Sequence, residues 1–397
     1  MIYAIPKLEP YDHKALELLK AQREQLRFHV ARSPNRWIGS LRRAAAARAL
    51  RGSNSIEGYN AELDQAAVIV DDEKPETLEE ETYKALVGYR TSMTYILRMH
   101  DDPHFALDAQ VIRSIHFMML SYDLTKLPGQ WRTGSIFVVQ EPSGETVYEG
   151  PDANIVASLV EDLEQQLAGQ ELGVDPLVIG AMAHLNLAMI HPFKDGNGRM
   201  SRALQTLIIS RNGMLSPVFC SIEEWLGRNT QAYYNILAEV GQGKWNPHHN
   251  ALPWVRFCLR AHYQQAATLM RRISETGAIW GDVVKLIERH SLHTRSETSL
   301  VEAALGFTIR NSRYRQEGDI SDVVASRDLK KLCEIGLLIP VGDKRGRHYI
   351  ASSGLAELRK KHAQPRREED LYDLVHNQKI LGGEQLTLSL GSDRPLT

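Results

Sequence analysis

Apolar residues recur at three- and four-residue spacing through most of residues 12–270, which is the period of an amphipathic α-helix. The spacing predicts helices over Ala15–Leu26, Leu41–Leu50, Thr82–Met99, Asp108–Leu120, Ile155–Leu167, Leu177–Ile190, Arg202–Asn212 and Thr230–Val240. Asp108 and Thr230 suit helix N-caps, and Gly213 suits the end of a helix. The pattern therefore predicts a mainly α-helical fold.

One segment breaks the helical period. Residues 131–148 read WRTGSIFVVQEPSGETVY, with β-branched and aromatic residues in Ser135–Gln140, turn-forming residues in Glu141–Gly144, and extended character again in Glu145–Tyr148. The pattern predicts a β-hairpin. Because an isolated hairpin is only marginally stable, it must lie against the helical body or against something bound there.

The pattern changes again near residue 275, where we expect a long helix to end at Thr276-Gly277. From Ile320 the chain predicts, in order, a helix over about Ser321–Ile335, a stop at Gly336, a strand over Leu338–Val341, a basic turn over Gly342–Gly346 and a returning strand over Arg347–Ala351. The tail from about Gln364 is polar, and we expect part of it to be disordered. These changes divide the chain into a helical region (1–80), a core (81–275), a small C-terminal domain (276–363) and a tail (364–397).

Composition and net charge limit the number of domains and the kinds of function that the protein can have. The 397 residues suggest two to three domains. Lys and Arg total 47 and Asp and Glu total 49, so a uniformly basic nucleic-acid-binding surface is excluded, whereas a local basic patch is not. The most acidic segment, Asp71–Glu81, holds seven acidic residues and one lysine, and we expect it to be a solvated loop and helix start.

Cysteine usage and hydropathy predict a cytoplasmic protein. The three cysteines are far apart and lack C-x-x-C spacing, which disfavours a disulfide framework or a zinc site and favours a reducing compartment. The N-terminus has no basic segment followed by an apolar one, so no secretory signal is expected. The longest apolar run, Leu177–Ile190, contains His184 and Asn186 and is shorter than the roughly 18 residues of a membrane helix.

The chemistry concentrates in residues 191–202, HPFKDGNGRMSR. The preceding apolar helix must end at His191, because Pro192 disfavours helical backbone for the residue before it. A glycine-rich turn and a new helix follow, and the free amides at a helix N-terminus form a ready anion site. Arg199 and Arg202 add donors that suit phosphate, and Asp195 suits a magnesium ion bound together with nucleotide phosphates. His191 is the only group here whose unperturbed pKa, roughly 6.5, suits a general base near neutral pH.

This segment resembles the Fic motif, HPFx(D/E)GNGRxxR, at every defined position, and the resemblance extends over roughly residues 80–240. The resemblance implies a Fic-type helical core that transfers AMP from ATP to a hydroxyl of a target protein and releases pyrophosphate. In that family pattern His191 takes the proton of the target Ser, Thr or Tyr hydroxyl. Asp195 holds Mg²⁺, and Phe193 anchors the loop in the core.

The resemblance also implies which residues of the loop contact each phosphate of ATP. The amides around Gly196, Asn197 and Gly198 cradle them, and Asn197 also helps to fix the α-phosphate. Arg199 contacts the β-phosphate region, and Arg202 pairs with the γ-phosphate. The motif leaves position 194, a lysine here, undefined. Transfer of a group other than AMP stays open, because the motif fixes the diphosphate better than the base.

Two further features find a place in the resemblance. The hairpin looks like the family's flap, which lays a target segment beside the loop by strand addition, with Val138 and Val139 nearest the nucleotide; its alternative is an edge hairpin packed on the core. Tyr233 and Tyr234 stand where the family often has aromatic residues along the adenine pocket, although such a pair is also typical of a core. Gly241 replaces the usual downstream Asn.

An upstream segment, SNSIEG at Ser53–Gly58, resembles the family's inhibitory pattern (S/T)xxxE(G/N). Ser53 and Glu57 are four residues apart, so they share a helix face. The resemblance implies that Glu57 reaches the active site, pairs with Arg202 and removes the γ-phosphate partner. The alternative is an ordinary exposed glutamate at a helix end. Some relatives with this glutamate also remove AMP, and the sequence does not decide the direction.

The C-terminal segment, about 277–352, resembles a winged helix. Ala325–Leu338 looks like its recognition helix, with Arg327, Lys330 and Lys331 facing outward and Leu329, Leu332, Ile335 and Leu337 packing inward; Gly342–Gly346 looks like the tip of its wing. Pro340–Arg367 carries eight basic and two acidic residues, which suits contact with nucleic-acid phosphates. The alternative is a protein-interaction or dimerisation module, since relatives often form homodimers.

Two hypotheses follow from these resemblances. One is an auto-inhibited protein adenylyltransferase with ATP, Mg²⁺ and a target protein as its partners and no membrane association. The other is a DNA-binding regulatory protein whose Fic body senses a nucleotide without turnover.

Overall fold

A computed structural model describes residues 1–32, 35–140, 144–168, 173–211, 217–343, 346–366 and 369–380. The helices of the first half are α1 (Pro10–Arg32), α2 (Asn35–Ile56), α3 (Leu63–Val70), α4 (Glu80–Met99), α5 (Ala109–Leu120), α6 (Val156–Ala168), α7 (Pro176–Ile190) and α8 (Asn197–Arg211). Those of the second half are α9 (Pro217–Cys220), α10 (Glu223–Arg228), α11 (Thr230–Gly241), α12 (Leu252–Arg289), α13 (Glu297–Ala304), α14 (Asn311–Gly318), α15 (Asp322–Glu334), α16 (Ser353–Lys361) and α17 (Leu371–Ile380). The strands are β1 (Phe137–Gln140), β2 (Glu145–Glu149), β3 (Ile309–Arg310), β4 (Leu338–Val341) and β5 (His348–Ala351).

The mainly helical fold is confirmed, and each predicted helix lies within or against an observed one. Asp108 caps α5 by accepting a hydrogen bond from the Val111 N–H. The N-cap prediction for Thr230 is wrong: Asn229 precedes α11, and the Thr230 hydroxyl donates to carbonyls at the end of α10, which the periodicity did not reveal. The predicted helix end at Gly213 lies outside the described residues.

The apolar helix α7 lies at the centre of the body, because nearly all its side chains are buried and it has no polar face to present to water. One apolar cluster joins α7 to α2, α4, α5, α6 and α8, and a second joins it to α1, α11 and α12. This placement holds both ends of α7 rigidly. None of the described helices combines the length and the apolar character needed to cross a membrane.

The long helix does not end at Thr276-Gly277 as predicted. Helix α12 runs without a break from Leu252 to Arg289, because Ile273, Thr276, Ile279 and Trp280 keep one buried face in register across Gly277. The burial of this face outweighs the roughly 1 kcal/mol that a glycine costs in a helix interior.

The C-terminal elements follow the predicted order. Helices α13, α14 and α15 alternate with a three-stranded sheet of order β3-β5-β4, and antiparallel β4 and β5 form a hairpin. Ser321 caps α15, and Gly336 ends the turn after it with φ 74°. The predicted apolar residues Leu329, Leu332 and Leu337 are buried within this unit. Two residues of the predicted wing tip, 344 and 345, lie outside the described residues.

The acidic stretch is not simply solvated. Asp71 is nearly buried and pairs with Arg43 of α2 at 2.6 Å and with Arg313 of α14 at 3.2 Å. Arg313 also pairs with Glu302 at 2.6 Å, and Glu302 accepts a hydrogen bond from Ser40 of α2. The prediction failed because the arginines that neutralise Asp71 are distant in sequence, and only the packing of the C-terminal unit against α2 brings them together.

The tail is also more ordered than predicted. Residues Leu371–Ile380 form α17, which packs on α1 and α12 through buried Leu371 and Val375. The Tyr372 hydroxyl donates to Asp12 at 2.9 Å, and Arg260 pairs with Asp370 at 3.0 Å. Leu371 and Val375 are two apolar residues four positions apart, and so short a pattern does not predict a helix. The surface of α1 and α12 on which they pack is known only from the structure.

Candidate active site at the α7–α8 loop

His191 follows the last residue of α7, as Pro192 predicts. Its backbone is left-handed, with φ 52° and ψ 56°, and its N–H donates to Leu187 O at 3.0 Å. Its Nδ1 lies 3.1 Å from Ala188 O. Because a carbonyl oxygen accepts only, Nδ1 carries the proton, and Nε2 is the basic nitrogen. Burial lowers the pKa of His191, so the imidazole is neutral at pH 7 and able to take a proton.

The loop after His191 is held from below by aromatic packing. Phe193 is fully buried, stacks on His116 with ring centroids 3.6 Å apart, and contacts Trp131. The side chain of Asn197 accepts from Phe193 N–H and donates to Phe193 O, both at 2.9 Å. The Asn197 side-chain amide therefore closes the loop.

Sequence reasoning missed two residues that fix the loop. His116 accepts from Gly129 N–H at Nδ1 and donates from Nε2 to Asp195 O at 2.8 Å, and its pKa is lowered to about 4 by burial. Arg132 donates from Nε to His191 O at 2.8 Å, and its backbone N–H donates to Pro192 O. Neither residue belongs to the motif. In the sequence, each is only a single polar residue within a segment of otherwise regular pattern.

The N-terminus of α8 faces the loop. This helix begins at Asn197, five residues before the predicted start at Arg202, because the Asn197 side chain is fixed by the Phe193 backbone. The first turn leaves backbone N–H groups without helical partners, which suits an anion. Gly196 has φ 77°, and a side chain there would meet Leu120. Glycine is required at this position for both reasons.

Arg199 is fully buried, and its Nε and Nη1 have no hydrogen-bond partner among the described residues. The guanidinium lies over the Tyr59 ring, 5.1 Å from its centroid, and Nη2 is 3.9 Å from Asp195 Oδ1. Buried, unpaired donors are costly unless something accepts from them. The arrangement therefore suits an anionic ligand in the loop.

Lys126 occupies the position beside Asp195 where a cation is expected. Its Nζ lies 2.9 Å from Asp195 Oδ2 and 3.0 Å from the Tyr59 hydroxyl. Although burial works against it, the Lys126 and Arg199 charges hold the pKa of Asp195 below its ordinary value, so Asp195 is ionised. Lys126 was not predicted; it lies some seventy residues before Asp195, and no pattern in the sequence connects them.

The predicted contact of Glu57 with Arg202 is confirmed, and Ser53 also contacts Arg202. Arg202 Nη2 donates to Glu57 Oε1 at 2.7 Å and to Ser53 O at 2.9 Å, while Nε donates to Ser53 Oγ at 2.9 Å. Glu57 lies in the turn just after α2 rather than on the helix, and its carboxylate fills the space above Gly198. The Arg202 side chain is 1% exposed.

Tyr233 and Tyr234 lie in different environments. Tyr233 is buried, and its hydroxyl pairs with His184 Nε2 at 3.0 Å, so it belongs to the core. Tyr234 is 43% exposed and donates to Ile56 O at 2.9 Å, which fastens the end of α2 to α11. Gly241 packs on Tyr148 and Met189 so closely that the side chain of an Asn would require them to move.

The hairpin is confirmed beside the loop. β1 and β2 are antiparallel, with Val138 opposite Tyr148, and a bulge follows Val138. Tyr148 is buried and donates to Met189 O at 2.9 Å, near the end of α7. Val138 packs on the helical body, whereas Val139 is 49% exposed. The hairpin is thus anchored by one residue of each strand, Val138 and Tyr148, whereas Val139 is exposed.

A helix, an anion-binding loop and a second helix at the centre of an all-helical body, flanked by a hairpin, define a Fic-type fold and site. Residues 106–209 match the family model described as "Fic/DOC family", so the chain contains a Fic domain. Ser53 and Glu57 lie outside the matched residues.

Similar proteins agree with this assignment. "Protein adenylyltransferase Fic" of Nematostella vectensis is 25% identical over 65% of this chain and 56% of its own length, and that of Culex quinquefasciatus is 27% identical over 63% and 46%. The chain thus spans about half the length of these curated relatives. A Fic family protein from Desulfovibrio desulfuricans G20 shares the fold, with a TM-score of 0.55 and 20% identity over 88% of this chain and 99% of that one.

Proposed function

We propose that the protein is a protein adenylyltransferase, which transfers AMP from ATP to a Ser, Thr or Tyr hydroxyl of a target protein. The observation that carries the proposal is the neutral His191, with Nε2 as its basic nitrogen, beside a loop whose buried Arg199 has unpaired donors. Relatives named protein adenylyltransferase support the same chemistry. A base, an anion cradle and fixed cations are what such a transfer requires.

In the proposed reaction the target hydroxyl oxygen attacks the α-phosphorus of ATP. Its proton passes to Nε2 of His191, and the bond from the α-phosphorus to the oxygen bridging to the β-phosphate breaks as pyrophosphate leaves. The hydrogen bond from Nδ1 to Ala188 O orients the imidazole and stabilises the charge that develops on it. Arg199 and the α8 N-terminus bind the phosphates.

Magnesium fits this site through Asp195. The described residues contain no group of three or more His, Cys, Asp or Glu that could hold a metal alone, so a single carboxylate and nucleotide phosphates would share the ion. The 37% exposed Asp195 side chain already holds one cation, the Lys126 ammonium. When bound, Mg²⁺ supplies neutralisation of phosphate charge.

We further propose that Glu57 restrains the enzyme. Its carboxylate pairs with Arg202, the residue expected to bind the γ-phosphate, and lies over Gly198 at the start of α8. Two negative groups cannot share one guanidinium without repulsion, so ATP and Glu57 compete. The same carboxylate is proposed to orient a water when AMP is removed, so transfer and removal of AMP are both assayed.

Intact mass of the full chain tests the chemistry. The wild type, Glu57→Gly and Glu57→Gly/His191→Ala proteins are incubated with Mg·ATP, alone and with a cell extract. We expect Glu57→Gly to gain the mass of one AMP or to label an extract protein, and the double variant to lose about 10²–10⁴-fold in rate. Added AMP-modified product tests removal. No transfer by Glu57→Gly, with ATP binding retained, would instead support a nucleotide sensor.

We propose a second candidate function for the C-terminal unit, because its helices and strands follow the order predicted from the resemblance to a winged helix. Arg327 and Lys330 of α15 are exposed, although acidic neighbours lie 3.9 and 3.7 Å from them. We propose a gel shift with nonspecific duplex DNA at low salt, comparing the wild type with Arg327→Glu/Lys330→Glu. Salt-sensitive binding that the variant loses would support DNA binding, and its absence would leave a protein-contact module.

A further inference from the structure

A cavity of about 950 Å³ lies between α2, α10, α12 and α16, and none of residues 191–202 lines it. It is therefore distinct from the phosphate loop. Its volume falls within the range of small-molecule sites. Apolar side chains such as Leu41, Phe219 and Ile273 form part of its wall.

The charged wall of the cavity is strongly basic. Seven arginines and three glutamates line it. Glu224 is bound by Arg272 through two contacts of 2.6 Å, and Glu275 is paired with Arg271 at 2.5 Å. The carboxylates of Glu224 and Glu275 are thus already occupied by Arg272 and Arg271.

The other five arginines lack a close carboxylate. Among the described residues, Arg48, Arg51, Arg359 and Arg366 make no ion pair, and Arg228 reaches Glu224 only at 3.9 Å. Arg48 donates to Ala44 O within its own helix, and Arg359 donates to Leu305 O. These bonds leave most of the guanidinium donors free, and since seven arginines face three glutamates, Glu62 among them, the cavity wall carries a net positive charge.

The guanidinium groups also repel one another. Burial, together with the charges of Arg272, Arg359 and Arg228, lowers the pKa of Arg48 to about 10. Arg48 is half-buried and the other four arginines are exposed, and an anion that enters the cavity lowers the repulsion among these like charges. Because Arg48 and Arg51 come from α2, Arg228 from α10 and Arg359 from α16, the positive charge is spread over several walls rather than focused on one point.

We propose that this cavity is a binding site for a ligand with two or more phosphate groups. Arginine forks match phosphate oxygens in pairs, and several separated forks match a ligand with several phosphates better than a single ion. Gly52 and Ser55 of α2 also line the cavity, on either side of Ser53, which holds Arg202. The ligand therefore contacts the helix that places Glu57 in the active site.

Calorimetric titration with inorganic tripolyphosphate tests the site in the full chain. The variant is Arg48→Gln/Arg228→Gln, and the matched control is Arg42→Gln, an exposed arginine of α2 outside the cavity lining. Binding at the phosphate loop contributes equally to all three proteins. We expect the double variant to lose at least about tenfold in affinity, because hydrogen bonds to charged groups contribute about 1.5–3 kcal/mol. The control is expected to match the wild type.

A second variant covers the case in which the double variant does not fold, as judged by its circular dichroism. Arg359→Gln changes an exposed side chain, so we expect it to fold and to bind tripolyphosphate several-fold more weakly. Unchanged affinity in a folded double variant would overturn the proposal, and so would unchanged affinity in Arg359→Gln where the double variant does not fold. Equal weakening by Arg42→Gln would also overturn it. Neither result depends on adenylyltransferase activity.

Discussion

Replacing Glu57 should raise the rate of AMP transfer, and the size of the increase should follow the strength of the hydrogen bond that Arg202 loses. Arg202 Nη2 and Glu57 Oε1 are 2.7 Å apart, and the side chains are 1% and 26% exposed. A hydrogen bond to a charged group contributes about 1.5–3 kcal/mol, and each 1.4 kcal/mol is a factor of about ten. Glu57→Gly removes the bond, so the rate of AMP transfer should rise about 10- to 100-fold. Glu57→Gln keeps a hydrogen bond from the charged Arg202 guanidinium to a neutral amide oxygen, so its rate should rise less, by about fivefold.

The assay is the initial rate of transfer of labelled AMP at one fixed Mg·ATP concentration well below saturation, with ATP binding measured separately. Glu17→Gln, an exposed glutamate on α1, serves as the charge control and should match the wild type. The expected order of rates is Gly above Gln above wild type. The reasoning fails if Glu57→Gly is no faster than the wild type, or if Gln exceeds Gly, since the ion pair would then not be the restraint.

Three further predictions follow from other contacts. Removing the cation beside Asp195 with Lys126→Met should lower the Mg²⁺ concentration for half-maximal transfer several-fold in the Glu57→Gly background, whereas Lys194→Met, whose Nζ contacts Thr125 O, should not. Burial raises the pKa of Glu223 to about 7, so the folded state binds the proton more tightly than the unfolded chain and its contribution to stability is lost between about pH 4.5 and 7. The unfolding free energy of the wild type minus that of Glu223→Gln should therefore fall by about 1–3 kcal/mol over that range in urea titrations at each pH; a flat difference would refute the raised pKa. Glu302→Gln leaves Arg313 and Arg43 partly unpaired and should cost about 3 kcal/mol of unfolding free energy; a cost below about 1 kcal/mol would show that Asp71 alone suffices.

Residues 191–202 could be singled out from the sequence because the features that shape this segment are local. Pro192 ends α7 whatever lies around it, and Gly196 adopts a backbone that other residues rarely adopt. The pairing of Glu57 with Arg202 was predicted from a resemblance, and the contact is present at 2.7 Å. The residues that support the loop could not be predicted from the sequence. His116 and Arg132 act through backbone carbonyls, and such contacts leave no periodicity or spacing in the chain.

The sequence alone predicted eight of the helices within residues 12–270, the place of the hairpin and the twelve-residue segment proposed to carry the chemistry, because periodicity, prolines and glycines act within a few residues of themselves. The tertiary structure alone decided which charges meet. It placed Lys126 against Asp195, bound the acidic Asp71 to Arg313, and gathered unpaired arginines of α2, α10 and α16 around one cavity. Electrostatic interactions depend on distance in space and on burial, and neither can be counted along the chain.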